Sequence, residues 1–245
     1  MSDNYKESFE KTKKAGEIAA GALDEVAKVI KPGIQTDKID KLCYEYINDN
    51  GAYSAPLFYR GFPKSCCTST NHIVCHGIPS DKILKDGDIV NVDVTALKDG
   101  WHGDTSRTYE IGEVSVKAKK LVTTTFDAMM KAIKIIKEDV FLGDIGATIQ
   151  NHVEAEGFSV VQDFCGHGIG RHFHQEPNVL HYGKKGTGER IKAGMIFTIE
   201  PMINFGKYET KTLNDGWTAV TKDKSLSAQF EHTIGVTKDG YEIFT

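Results

Sequence analysis

The chain has 245 residues, enough for one large domain or two fused halves around a sizeable core. Hydrophobic residues are 40% and charged residues 26%, an ordinary globular balance, and 30 basic against 34 acidic side chains give a formal net charge of −4. The two signs are interspersed, which argues against nucleic acid or an anionic membrane as partner, and no apolar run approaches the roughly 20 residues that cross a bilayer.

The N-terminal stretch Met1 to Ala20 is too polar for a signal peptide, so the expectation is a cytoplasmic protein. Ala19, Leu23, Val26 and Ile30 form the stripe of an amphipathic helix stopped by Pro32-Gly33. A second helix is predicted from Thr36 as N-cap to Asn50-Gly51, with Ile39, Leu42, Tyr46 and Ile47 on its apolar face. Asp88 to Val94 alternates as a strand, Lys98-Asp99-Gly100 marks a turn, and Trp101 to Ile111 reads as the returning strand. Val122, Phe126, Met129, Ile133 and Ile136 mark a third helix. Ile145, Ile149 and Val153 mark a fourth, ending near Gly157. Met195 to Ile203 and Ala228 to Val236 read as one strand each. The five cysteines, Cys43, Cys66, Cys67, Cys75 and Cys165, are odd in number and lack a C-x-x-C pair. They are expected as small buried hydrophobes rather than a zinc ribbon or disulfide framework.

The second half echoes the first. Ile30-Lys31 and Ile34 recur as Ile136-Lys137 and Val140, Ile39 as Ile145, Ile47 as Val153, and Gly51 as Gly157. Leu84-Lys85-Asp86-Gly87 recurs as Ile191-Lys192-Ala193-Gly194, an offset that carries Asp93 onto Glu200. His76-Gly77-Ile78 aligns with His167-Gly168-Ile169 when the intervening links differ in length. Helix, helix, hairpin twice over predicts a single domain, 1–245, of two pseudo-symmetric halves, about 1–112 and 113–245. The fold class is α+β, with antiparallel strands at the centre and helices outside.

Four acids sit in apolar, strand-like context: Asp93, Asp104, Glu200 and Glu231. Pairing Leu97 with Gly100 would set Asp93 opposite Asp104, in a register open by a residue, with Gly103 available for a bulge. Opposed carboxylates repel unless a proton or cation lies between them. One buried acid is commonly a hydrogen-bonded structural residue; four, two per half, are harder to place that way. His167 lies between Gly166 and Gly168, which permit close backbone approach around an imidazole. Asp, Asp, His, Glu, Glu is a donor set for divalent transition metals, and for two of them if carboxylates bridge.

The run Phe164 to Gly170, with His174 and Val179-Leu180-His181-Tyr182 after it, resembles the signature of type I methionine aminopeptidases. So do Asn71 to Gly77, Asp88 to Asp93, Gly103 to Ser106, Ile199-Glu200-Pro201 and Ser227 to Thr233. The resemblance spans nearly the whole chain and implies a pita-bread fold. It implies two divalent ions (cobalt, iron, manganese or zinc), one held by Asp93, Asp104 and Glu231, the other completed by His167 and Glu200, with Asp104 and Glu231 bridging. It implies that Glu200 shuttles the proton of the attacking water, that His174 stabilises the oxyanion and that His76 bonds the departing amide. Tyr59, Phe62, Cys67, Phe173 and Trp217 would wall a methionine pocket. Asn71 with the backbone of Ile73 and Ser227 would hold a monovalent cation, sodium or potassium. The substrates implied are N-termini of nascent polypeptides at the ribosome, met by a monomer. Two features depart from the family: some members carry an N-terminal zinc-binding extension where this chain starts almost at its first helix, and Pro56 and Phe62 stand where relatives often carry Cys and Tyr. Competing readings are a proline-specific dipeptidase on the same fold and a binding protein that has lost catalysis.

Overall fold

The computed structural model describes residues 5–245; the first four residues of the polar N-terminal stretch lie outside it. In chain order the elements are α1 (Lys6–Val29), α2 (Thr36–Asp49), β1 (Tyr53–Ser54), β2 (Cys67–Thr70), β3 (Ile73–Cys75), β4 (Ile89–Lys98) and β5 (Trp101–Glu110). There follow α3 (Val116–Lys134), α4 (Leu142–Ala155), β6 (Ser159–Val160), β7 (Gly166–Gly168), β8 (Gln175–Val179) and β9 (Ile196–Ile199). The last are β10 (Met202–Asn204), β11 (Thr210–Thr212), β12 (Ala219–Thr221), β13 (Ser227–Gln229), β14 (His232–Val236) and β15 (Tyr241–Ile243). All strand pairings are antiparallel and the helices cover the sheets, the arrangement expected of α+β and of the pita-bread fold.

The β4–β5 hairpin corrects the predicted register by two residues. Lys98 pairs with Trp101, Thr95 with Asp104, and Asp93 with Ser106. The turn explains the shift: Asp99 (φ 51°) and Gly100 (φ 79°) are both left-handed, as in a two-residue hairpin loop, so the loop is 99–100 rather than 98–99 and each partner moves by two. A shift of two keeps every side chain on its face. Val90, Val92, Val94 and Ala96 enter the core against α1 and α2, while Asn91, Asp93 and Thr95 share the opposite face. Asp104 is therefore diagonal to Asp93 rather than opposite it.

The two long strands predicted later are each broken. Chain 195–203 splits into β9 and β10 at Glu200-Pro201, and chain 228–236 splits into β13 and β14 at Phe230-Glu231. β9 and β14 pair in a five-stranded sheet, whereas β10 and β13 pair in another. Pro201 cannot donate to a ladder, so the chain changes sheet there. Both breaks fall at predicted ligands.

Smaller differences have local causes. Gln35, not Thr36, precedes the first residue of α2; Thr36 Oγ1 instead donates to Ser80 O (3.0 Å) and accepts from Ser80 N (2.9 Å). Ile30 and Ile136 lie just past the ends of α1 and α3, and Phe126 is exposed on α3 although its ring meets Phe230. Four cysteines are buried and Cys165 is half-buried.

α1 lies directly on the hairpin because two glycines allow it. A Cβ on Gly103 would fall 2.2 Å from Gly16 N, and one on Gly16 would fall 2.2 Å from Phe244 O. The helix and the C-terminal segment are thus locked beside Asp104. Backbone bonds also recur at the offset read from the sequence. Leu84 N donates to Ile34 O at 2.9 Å and Ile191 N to Val140 O at 2.8 Å; Ala52 N donates to Ile47 O at 3.1 Å and Phe158 N to Val153 O at 3.2 Å. These matched bonds, with one core cluster confined to residues 19–111 and another formed almost wholly by residues 118–236, support our proposal of two related halves in one domain.

Candidate active site

A cavity of about 370 Å³ is lined by residues from both of the proposed halves. Asp93, Asp104, His167, Glu200 and Glu231 line it, as do His76 and His174 and the expected pocket residues Tyr59, Phe62, Cys67, Phe173 and Trp217. The structure brings all of these together. Asn71, Ile73 and Ser227 gather elsewhere. Asn71 Nδ2 donates to Asp88 Oδ1 (2.8 Å), Asn71 Oδ1 accepts from Ile89 N (3.1 Å), and Asn71 O accepts from Ser227 N (2.8 Å).

Hydrogen bonds from neighbouring strands and loops hold three of the four acids. Asp104 Oδ1 accepts from Thr95 Oγ1 at 2.7 Å. The Thr233 hydroxyl accepts from Asp104 N (3.0 Å) and donates to Asp104 O (2.8 Å), tying β5 to β14. Glu231 is held by its own backbone: its N–H donates to Ser106 O (3.1 Å), and its carbonyl accepts from Thr105 Oγ1 (2.8 Å). Glu200 accepts from Thr198 Oγ1 (2.7 Å) and Gln229 Nε2 (3.3 Å), while its N–H donates to His181 Nε2 (3.1 Å). The Thr198 hydroxyl also accepts from His167 N at 3.0 Å, linking His167 to Glu200. The flanking glycines act as the sequence suggested: a Cβ on Gly168 would lie 2.1 Å from Glu176 O and one on Gly166 2.4 Å from Thr198 O.

The electrostatics call for a cation. Asp104, Glu200 and Glu231 are buried and Asp93 is largely so. Burial pushes Asp93 up to about 7 and Glu200 up to about 8. Burial, then the neighbouring carboxylates, raise Asp104 and Glu231 well above the usual range. Desolvation lowers His167 to about 4, so its ring is neutral at pH 7. His167 Nδ1 lies 3.1 Å from Gly168 O, to which it donates when protonated there. Nε2 then turns its lone pair toward Asp104 Oδ2 (3.7 Å) and Glu200 Oε1 (3.5 Å). Lone pairs so arranged repel unless a proton or cation lies among them. Ligand atoms of Asp104, His167 and Glu231 all lie within 4.8 Å of one another. Oxygen-rich, with one imidazole, the set fits a divalent ion.

An aromatic wall adjoins the acids. Tyr59 packs on Phe173 (4.9 Å between centroids), Phe62 meets Trp217 edge-on (5.2 Å), and His76 meets Phe164 edge-on (5.5 Å). His174 stacks on Tyr59, with Nδ1 3.1 Å from the phenolic oxygen, and is held below its ordinary pKa by desolvation and by neighbouring histidines. Burial lowers His76 as well.

The motifs assign no role to Thr95, Thr198, Gln229 or His181, which hold the acids, nor to Arg60 or Asp163, which also line the cavity. Thr95 and Thr198 each lie two residues from a predicted ligand, so strand period was the available signal. Gln229 and His181 reach Glu200 from other strands and loops, and spacing along the chain carries no sign of them.

The model for metallopeptidase family M24 matches residues 10–238. The methionine aminopeptidase of Rickettsia prowazekii is 57% identical over 238 residues, 97% of this chain and 92% of the relative. The solved methionine aminopeptidase of Thermotoga maritima superposes with a TM-score of 0.97 at 44% identity, covering 98% of this chain and 97% of that one. A prolidase from Pyrococcus furiosus shares the fold, with a TM-score of 0.77 at 23% identity; this chain spans 64% of it.

Proposed function

The chain belongs to metallopeptidase family M24, and from that premise we infer that it is a metal-dependent aminopeptidase that removes methionine from protein N-termini. The observation that carries the reading is the convergence of four carboxylates, three buried and Asp93 half-buried, and a neutral imidazole on a cavity with an aromatic wall. We further propose two divalent ions, one held by Asp93, Asp104 and Glu231 and the other by His167 and Glu200, with Asp104 and Glu231 shared. Such ions lower the pKa of water and polarise a carbonyl.

The chain's own groups do the rest. Held ionised by a bound ion, Glu200, a stronger base than an exposed carboxylate because it is buried, would take a proton from the attacking water and pass it to the leaving amine. With the Tyr59 hydroxyl donating to Nδ1, neutral His174 keeps Nε2–H to donate to the scissile carbonyl as charge develops. His76, neutral and set between Phe164 and Trp217, donates to the amide nitrogen side of the bond. Tyr59, Phe62, Cys67, Phe173 and Trp217 enclose the methionine side chain; such a pocket discriminates a methylene by only about 1–3 kcal/mol, so limited room beside the second residue also sorts substrates.

A monovalent cation at Asn71, Ile73 and Ser227 completes the proposal, supported by the buried Ser227 hydroxyl, which has no protein partner. No helix among the described residues is long and apolar enough to cross a membrane. We propose a cytoplasmic monomer acting on nascent chains at the ribosome.

Hydrolysis of Met-Gly-type and Xaa-Pro peptides, with added divalent metal, tests the reading. Turnover of the first alone is expected. Turnover of Xaa-Pro alone would favour the prolidase-like alternative, and tight peptide binding without turnover would favour a non-enzymatic one.

A further inference from the structure

The mouth of the cavity carries two charges that bond cleavage leaves unused. Asp163 and Arg60 both line it. Asp163 accepts from Thr210 Oγ1 at 2.5 Å and precedes Phe164, whose ring packs against His76. Arg60 lies near His174. It is exposed, its guanidinium carbon lies 5.3 Å from the Tyr59 ring centroid, and among the described residues no carboxylate is paired with it. Its backbone is left-handed (φ 48°, ψ 27°), between Phe58 at φ 66° and Gly61 at φ 89°. The same turn places the Tyr59 hydroxyl 3.1 Å from His174 Nδ1. A tight, left-handed turn thus presents an unpaired cation next to the imidazole that faces the reacting carbonyl.

We propose that Arg60 is a specificity-determining residue that favours an acidic side chain at the third position of the substrate. The inference rests on the reading above, which sets the scissile carbonyl against His174. The chain beyond that carbonyl must leave past Tyr59 and Arg60. An extended peptide advances about 3.3 Å per residue, so the third and fourth residues fall roughly 6–10 Å away, within reach of an arginine at the rim. A carboxylate there gains a partner the protein does not itself supply, and a lysine is repelled.

The test compares kcat/KM for C-terminally amidated Met-Ala-Glu-Ala and Met-Ala-Lys-Ala. Each ratio is measured on one preparation, so a loss of folded protein cancels. Wild type should favour the glutamate peptide by about three- to five-fold, the range of an exposed ion pair, and the ratio should fall toward one as salt is raised. Arg60→Lys should keep the preference. Arg60→Asn, a residue that tolerates the left-handed turn, should abolish it, and Arg60→Glu should invert it. A wild-type ratio of one, or the same ratio in wild type and Arg60→Asn, overturns the proposal while leaving methionine removal intact. Failure to cleave either peptide overturns both.

Discussion

Asp104 is the most constrained of the proposed ligands. One oxygen takes the Thr95 hydroxyl, the other faces His167, and the backbone is clasped by Thr233. An amide in its place keeps the shape but loses the charge. Asp104→Asn, or Glu231→Gln, should therefore lower turnover by several orders of magnitude and lose bound metal, with an unchanged circular dichroism spectrum; full turnover in either would contradict the shared-ligand role. His174 differs because on our proposal it would touch substrate rather than an ion. His174→Ala should lower kcat far more than metal content, and equal losses would make it a ligand instead. At this scale the sequence was informative where chemistry and motif coincide. Four of the proposed ligands stand out because charge is rare inside apolar strands, His167 because glycines flank it, and the family resemblance added His76 and His174. It was silent on Gln229 and His181, whose bonds to Glu200 depend on which distant strands meet.

The hairpins show what element-level patterning can resolve. Period-two alternation put Asp93 on the polar face of β4, and the two-residue register error left that intact because side-chain faces repeat every second residue. The turn's two left-handed residues, which set the register, depend on backbone geometry that Asp99-Gly100 permits but does not compel. The breaks at Glu200-Pro201 and Phe230-Glu231 were harder to see, since apolar residues run through both; only Pro201 hinted at one. Gly103 carries a prediction of its own. Its missing side chain lets Gly16 of α1 touch the strand next to Asp104. Gly103→Ala should destabilise the protein by about 1–3 kcal/mol or more, because backbone rather than a flexible side chain must give way. Chemical denaturation measures this, and an unchanged midpoint would mean that α1 can shift at little cost.

For the whole molecule, four acids buried together set a condition on stability. Asp93 and Glu200 have folded pKa values near 7 and 8, above the usual carboxylate range, and Asp104 and Glu231 are raised too. Acids raised on folding favour the folded state while protonated, and that contribution is lost as pH climbs through the folded values. Histidines lowered by burial, His181 and His232 among them, act below about 6.5 with the opposite sign, so only the acids act above it. Chelator-treated protein should show a melting temperature that falls between about pH 6.5 and 8.5, while metal-loaded protein changes less. A chelated protein whose melting temperature is flat or rising there would mean that the acids are not desolvated together. The most direct measurement follows turnover of a Met-Gly-type peptide by chelator-treated enzyme as a divalent ion is titrated back near neutral pH, with bound metal and released protons read alongside. Activity should be absent at first and return in step with metal uptake and proton release. Full turnover with no bound metal would contradict the claim that these acids and His167 serve a catalytic ion.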